Sequence, residues 1–391
     1  MTDFFDKALL PAGFSDVLAP DADFEASVLN RLLRCFSGHG YDRVEPPLIE
    51  FEDGLLTGIG AGLAEQTFRL MDPESQRMMA VRADITPQVA RIAQARLAKA
   101  PRPLRLSYAG QVLRVRGSQL RPERQFTQVG AELIGAAGPA ADAEVIAMAA
   151  GALIELSVAE LSCDLGLPAL VPAVSGDADP SLQAKLRQAL DRKDAAAVAG
   201  LGGELGEALT QTLAAMLSAA GPAAETLDAL GGLGLEGDAE DGRKLLADVV
   251  DRVRAARPDL KLTIDPVENR GFEYHTGVTF TFFAKGVRGE LGSGGRYAAN
   301  DDDANGGEPA TGFTLFMDTV LRALPAPVTA SRVFLPAGTP AEEAAKLRAE
   351  GWIAVAGLDQ GADAETEAKR LACSHLLDGG KIKEIGKKKK G

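Results

Sequence analysis

Between Asp23 and Phe36 apolar side chains recur at helical spacing, at Val28, Leu29, Leu32, Leu33 and Phe36, and Gly38 and Gly40 close the pattern. The first element is therefore an amphipathic helix. The stretch Tyr41 to Ile49 contains Pro46-Pro47, which a strand tolerates only at an edge or an end. A short strand from Met78 to Val81 leads into Thr86-Pro87 and a helix over Pro87 to Leu97 with proline in its first turn. Leu104 to Leu113 and Arg124 to Ile134 read as strands, joined by about ten polar and charged residues of the kind found in functional hairpin loops. Asp142 to Leu156 is an alanine-rich helix.

From about Ser181 to Arg254 the pattern is helical without a strand signal, which predicts a helical insertion. Strands return at Lys261 to Ile264, Phe272 to Phe283 and Gly289 to Leu291; the Gly292 to Gly295 cluster then reads as a tight turn, and Gly312 to Leu324 as a helix. Pro325-Ala326-Pro327 resembles a linker, after which strand and helix alternate at Arg332 to Leu335, Ala341 to Glu350, Trp352 to Ala356 and Ala362 to Leu371. Strands bunched around a helical insertion predict an α+β fold with an antiparallel sheet flanked by helices. The expected units are residues 1–324, with the insertion at about 181–254, and a small C-terminal α/β unit at 328–391.

Composition narrows the function classes. With 46% hydrophobic and 25% charged residues, the 391-residue chain has the balance of a folded globular protein. Its longest apolar run, Val145 to Ile154, is far short of the roughly 20 residues that span a bilayer. With no basic region and apolar stretch at the N-terminus, a cytoplasmic address without a membrane partner is expected. Cys35, Cys163 and Cys373, like His39, His275 and His375, are scattered, so neither a disulfide framework nor a metal site is expected, and no cofactor is implied. A net charge of −13 argues against general nucleic-acid affinity but leaves two candidate local basic patches, the four arginines from Arg114 to Arg124 and the Lys387 to Lys390 run, the second of which reads as a solvated tail. Gly232, Gly234 and Gly237 have dinucleotide-loop spacing but lie inside the helical insertion, without the strand that such a loop requires.

Candidate chemistry concentrates in two strands. In Arg124 to Ile134, alternation places Gln128, Gly130 and Glu132 on one face and Val129, Ala131 and Leu133 on the other. The second face is core, whereas an amide and a carboxylate flanking a glycine predict an open groove suited to a small cationic or amino-acid ligand. Arg270, Tyr274 and His275 bring three polar binding types within six positions, and a packed histidine beside an aromatic ring is the plain alternative. Asp84 and Thr86 sit at a strand end, where helix capping would also explain them.

These residues lie in motifs that resemble the histidyl-tRNA synthetase family over roughly residues 1–324. Pro11 to Asp16 is similar to the family's opening, Gly40 to Pro47 to class II motif 1, and Gly110 to Gly135 to motif 2. Val81 to Thr86 resembles the segment that holds the histidine amino group, which implies that role for Asp84 and Thr86. The resemblance implies that Arg114 clamps the reacting carboxylate and phosphate, and that Gln128 and Glu132 read the histidine substrate. Arg270 to His275 resembles the histidine-specific signature with His275 in place of its second tyrosine, and Gly294 to Tyr297 the glycine-rich strand and turn.

The reaction groups depart from the family pattern. Motif 3 has Thr319 for its arginine and Phe316 for its inner glycine, and Arg116 replaces the motif 2 glutamate. Losing one preorganised contact costs about 10²- to 10³-fold in rate, so three lesions predict binding without catalysis. About 65 residues follow Leu324, where synthetases carry a larger anticodon-binding domain. The combination resembles the synthetase-like regulatory subunits of ATP phosphoribosyltransferase. That resemblance implies a short-form catalytic subunit as partner, a homodimer within a larger hetero-oligomer, and histidine as feedback ligand. The rival expectations are an active histidyl-tRNA synthetase or another adenylating ligase, and a binding protein with a different catalytic partner.

Overall fold

The computed structural model describes residues 9–119, 121–176, 179–268, 274–299, 307–327 and 330–386. The chain divides into two compact units, Met1–Pro325 and Ala326–Gly391. Arg270 and the Lys387 to Lys390 run lie outside the described residues.

In the first unit, helix α1 (Asp21–Gly38) buries Val28, Leu32 and Phe36, the stripe that its spacing predicts. The prolines after it break the chain between an edge strand, β1 (Asp42–Arg43), and β2 (Ile49–Phe51), which joins β3 (Arg69–Met71) and β4 (Met78–Val81) in a small antiparallel sheet of order β2-β4-β3. Helix α2 (Thr86–Ala95) leads to the long hairpin β5 (Leu104–Leu113) and β6 (Gln125–Ile134), and helix α3 (Pro139–Glu155) packs behind it.

These strands form one edge of a nine-stranded sheet completed by β7 (Leu161–Gly166), β8 (Gly221–Pro222), β9 (Lys261–Ile264), β10 (His275–Ala284), β11 (Gly292–Ala299) and β12 (Glu308–Phe316). The order is β1-β5-β6-β12-β11-β10-β7-β9-β8, antiparallel except for β1 with β5 and β7 with β9. Between β7 and β9 lie helices at Pro180–Asp191, Glu207–Ser218, Ala223–Gly231 and α4 (Gly237–Ala256). Gly232 to Glu236 directly follow the helix Ala223–Gly231, so no strand runs into them, although the two-residue β8 lies inside the stretch expected to be helical throughout, where it pairs with β9 at the sheet edge. The main core is shared by one sheet face, α1, α3 and the helical segment, with Phe36 edge-on to Phe313 at 5.4 Å.

Two expectations are corrected. Gly292 to Gly295 is not a turn but the start of β11, and none of Gly292, Gly294 and Gly295 has a positive φ. They are small because β11 lies between close neighbours: a Cβ on Gly294 would come within 2.1 Å of the Gly312 carbonyl oxygen. The expected helix from Gly312 begins only at Met317, as α5 (Met317–Ala323), because Glu308 to Phe316 is a central strand hydrogen-bonded on both sides. Phe313 and Leu315 alternate into the main core with period two, so pairing overrides the helical reading.

The second unit is a four-stranded sheet in which β13 (Arg332–Leu335) runs parallel to both β14 (Ile353–Ala356) and β15 (His375–Asp378), with β16 (Lys381–Glu384) as an antiparallel edge. Helices at Ala341–Ala349 and Ala364–Arg370 cover it. Val333 and Leu335 pack with Leu347, whereas Phe334 packs with Ala368 on the other face.

Candidate ligand-binding site

Strand register writes out the floor of the site. On the face opposite the main core, one row across the sheet reads Leu106, Glu132, Gly312, Gly295, Thr279, and the next reads Tyr108, Gly130, Thr314, Ser293. A third reads Leu104, Ile134, Ala310, Tyr297, His275. Val129, Ala131 and Leu133 point the other way, into the main core, as their alternation predicts.

Gln128 and Glu132 are fully buried, so the open groove expected beside Gly130 is not found. Tyr108, the cross-strand partner of Gly130, fills it: a Cβ on Gly130 would lie 2.5 Å from the Tyr108 hydroxyl. That hydroxyl is 2.6 Å from Thr314 Oγ1, 3.3 Å from Glu132 Oε1 and 3.3 Å from Thr86 Oγ1. The Tyr297 hydroxyl donates to Glu132 Oε2 at 2.9 Å. Burial pushes the Glu132 carboxyl up to about 8; the Tyr297 and Tyr108 hydrogen bonds pull against it, and the charge of Asp84 adds to it. Near neutral pH the floor thus carries a protonated acid able to donate as well as accept.

At the rim, the strand end before α2 is held by side chains rather than by a strand ladder. Thr86 N–H donates to Asp84 Oδ1 at 2.8 Å, Gln128 Nε2 donates to Asp84 Oδ2 at 3.0 Å, and Gln128 Oε1 accepts from Ile85 N–H at 3.1 Å. The N-cap of α2 is Ile85 and makes no side-chain cap, so Asp84 acts from one residue earlier by accepting from the first helical N–H, and the same carboxylate binds Gln128. Tyr274 lies between a cavity of ≈ 290 Å³ lined by Ile59, Leu63, Gln66, Asp84 and Thr86, and a narrow recess of ≈ 20 Å³ that reaches Glu132, His275, Gly295 and Tyr297. Asp84, Thr86, Gln128, Glu132, Tyr274 and His275 are therefore brought together. Arg114 approaches from the hairpin loop: its guanidinium lies 5.1 Å from the Phe126 ring centroid, and its buried Nε has no hydrogen-bond partner among the described residues. Burial lowers its pKa, and the charge of Asp84 opposes that shift.

The other end of the cleft is filled. The Phe316 ring sits edge-on to Phe126 at 6.1 Å and beneath the Arg121 guanidinium at 3.8 Å. Arg121, nearly buried, is ion-paired with Asp318 at 3.2 Å and Glu290 at 3.7 Å. Thr319 is buried and accepts from Arg322 Nη2 at 3.1 Å, while Arg116 is exposed. Tyr108 and Thr314 escape sequence reading, where the one available signal is a glycine, Gly130, facing a large strand residue in the paired hairpin; Arg121 belongs to the arginine-rich loop from Arg114 to Arg124, which the sequence marks only as a local basic patch.

A family model described as histidyl-tRNA synthetase matches residues 13–320. An ATP phosphoribosyltransferase regulatory subunit of Rhodospirillum centenum is 57% identical over 380 residues, covering 97% of this chain and 96% of the relative. The chain belongs to the ATP phosphoribosyltransferase regulatory subunit family. A second member, from Gluconobacter oxydans, is 46% identical and covers 97% of each chain. Among solved structures, the ATP phosphoribosyltransferase regulatory subunit/histidyl-tRNA synthetase of Bacillus halodurans has a TM-score of 0.81 at 24% identity, covering 94% of this chain and 97% of that one. The histidyl-tRNA synthetase of a Nostoc species has a TM-score of 0.78 at 18% identity, covering 97% and 92%. These two likenesses establish the class II synthetase fold. No helix among the described residues is long and apolar enough to cross a membrane, and none of their His, Cys, Asp and Glu side chains cluster as metal ligands would.

Proposed function

We propose that this chain acts as a regulatory subunit that partners a short catalytic ATP phosphoribosyltransferase in the first step of histidine biosynthesis, without catalysing a reaction itself. The observation that carries the non-catalytic reading is the plugged end of the cleft. Adenylation needs cations aimed at nucleotide phosphates. Here Arg121 is spent on Asp318, Glu290 and the face of Phe316, and the motif 3 arginine is a buried threonine. The amino-acid end keeps its carboxylates, amide and tyrosines, which suits a histidine-sensing pocket formed by Asp84, Thr86, Gln128, Glu132 and Tyr274, with Arg114 as a carboxylate partner; the family resemblance implies the same role for Arg270, which lies outside the described residues. ATP-pyrophosphate exchange in the presence of histidine is expected to stay at background, and exchange above background would overturn the non-catalytic reading.

The same reading assigns a homodimer. The β2-β4-β3 sheet exposes Ile49, Phe51, Met71 and Met78, and beside it an open groove of ≈ 740 Å³ is lined by Pro46, Pro47, Phe51, Met79 and Ile92. An apolar surface of this kind marks an interface, and it lies at the segment that resembles motif 1. Light scattering should give a dimer at micromolar concentration and, for Phe51→Glu combined with Met71→Glu, a folded monomer. A wild-type monomer with the fold intact would contradict it.

A further inference from the structure

The floor of the recess has a feature that a simple amino-acid pocket does not need. In β10 and β11, His275 pairs with Tyr297, and its ring leans over Gly295: Cδ2 lies 2.5 Å from where a Cβ on Gly295 would sit. Glu132 does the same over Gly312, its Oε2 lying 1.8 Å from where that residue's Cβ would sit. Gly295 and Gly312 are register partners in adjacent strands, and such partners are about 4.5–5.5 Å apart. The imidazole and the buried carboxyl therefore lie side by side on the sheet, with the Tyr297 hydroxyl on Glu132 beside them. Tyr274 covers the imidazole from above, its ring stacked on that of His275 at 4.1 Å and 30°. What remains is ≈ 20 Å³, room for about one water and not for an aromatic ring.

We propose that His275 is a tethered imidazole that occupies the ring subsite beside Glu132 and competes with free histidine for it. The proposal rests on the reading of this pocket as a histidine site and adds what sets its affinity. The competing group is chemically the same as the ligand's own ring, so the recess that accepts one accepts the other. Glu132 supports either occupant, since a carboxyl pushed up to about 8 can donate to or accept from an imidazole nitrogen. The ladder between β10 and β11 is irregular between His275 and Thr279, so His275 can leave the recess without unzipping the rest of the strand. It would then move toward the ≈ 290 Å³ cavity that shares Tyr274 and Thr86 with the recess. While it is seated, the pocket is closed to the ring of histidine, and apparent affinity falls by the fraction of molecules in which it is displaced.

The test is calorimetry of L-histidine and of free imidazole against the full-length wild type, His275→Ala and His275→Asn, with thermal melting to confirm that both variants fold. The expected result is that both variants bind histidine at least about tenfold more tightly than wild type, and that His275→Ala also takes up imidazole while wild type does not. Histidine affinity unchanged or weakened in both variants would overturn the tether while leaving the pocket as a histidine site. Imidazole uptake by His275→Ala with no histidine binding by any chain would show only that the vacated space fits the ring, and would overturn both the competition and the histidine reading. Failure of the folded variants to bind either molecule would sink both.

Discussion

Arg296→Met is expected to destabilise the protein by about 3–5 kcal/mol, the cost of stripping a buried ion pair of one partner. Asp142 in α3 is completely buried, and Arg296 in β11 is its charge partner, with Nη2 2.9 Å from Oδ1 and Nε donating to Oδ2 at 3.1 Å. The same guanidinium donates to the carbonyl oxygens of Ala136 and Gly138 at 3.0 and 2.8 Å, fixing the turn that starts α3. Burial raises the Asp142 pKa and Arg296 opposes that rise, so removing Arg296 leaves a carboxyl that must take up a proton to stay buried. The loss should therefore be larger at pH 8 than at pH 5, where the proton is available. Adding Asp142→Leu should recover part of it by removing the stranded acid. Urea denaturation with an unchanged slope is the measurement, and a loss below about 1 kcal/mol would contradict this role.

Glu132→Gln is expected to flatten the pH dependence of stability. The carboxyl ionises near 4.5 when free and at about 8 when buried in the folded chain. Between those values the native state holds a proton that the unfolded state has released, so stability falls as pH rises through the window and levels off above it. The full effect is on the order of 5 kcal/mol, since each tenfold difference in proton affinity between the folded and unfolded chain is worth about 1.4 kcal/mol. Glutamine keeps the shape and the acceptor for Tyr297 but carries no titrating proton, so the variant should lose little at pH 8 relative to pH 5. Denaturation at both values separates the two chains, and parallel profiles would mean that Glu132 is not buried as an acid.

The elements with strong local signals are legible in the sequence. α1 and the β5–β6 hairpin follow from spacing, and alternation divides β6 correctly into a core face and a polar face. The polar face is not the open groove that alternation suggests, because alternation fixes direction and not what lies across the gap; Tyr108 comes from the neighbouring strand. β12 reads as a helix and the start of β11 as a turn for a related reason, since both strands are defined by partners distant in sequence. The filling of the cleft by Phe316 follows from its size, but its clamp does not, because Arg121 reaches Asp318 from 197 residues away.

The central claim, that this chain regulates a separate transferase rather than performing a synthetase reaction, is tested most directly by titrating it into a short catalytic ATP phosphoribosyltransferase subunit and following phosphoribosyl transfer to ATP. The account predicts that activity rises with added chain, saturates at a fixed ratio, and becomes sensitive to histidine. Transfer rates that stay the same across the titration, with no complex between the two proteins at saturating concentration, would contradict it.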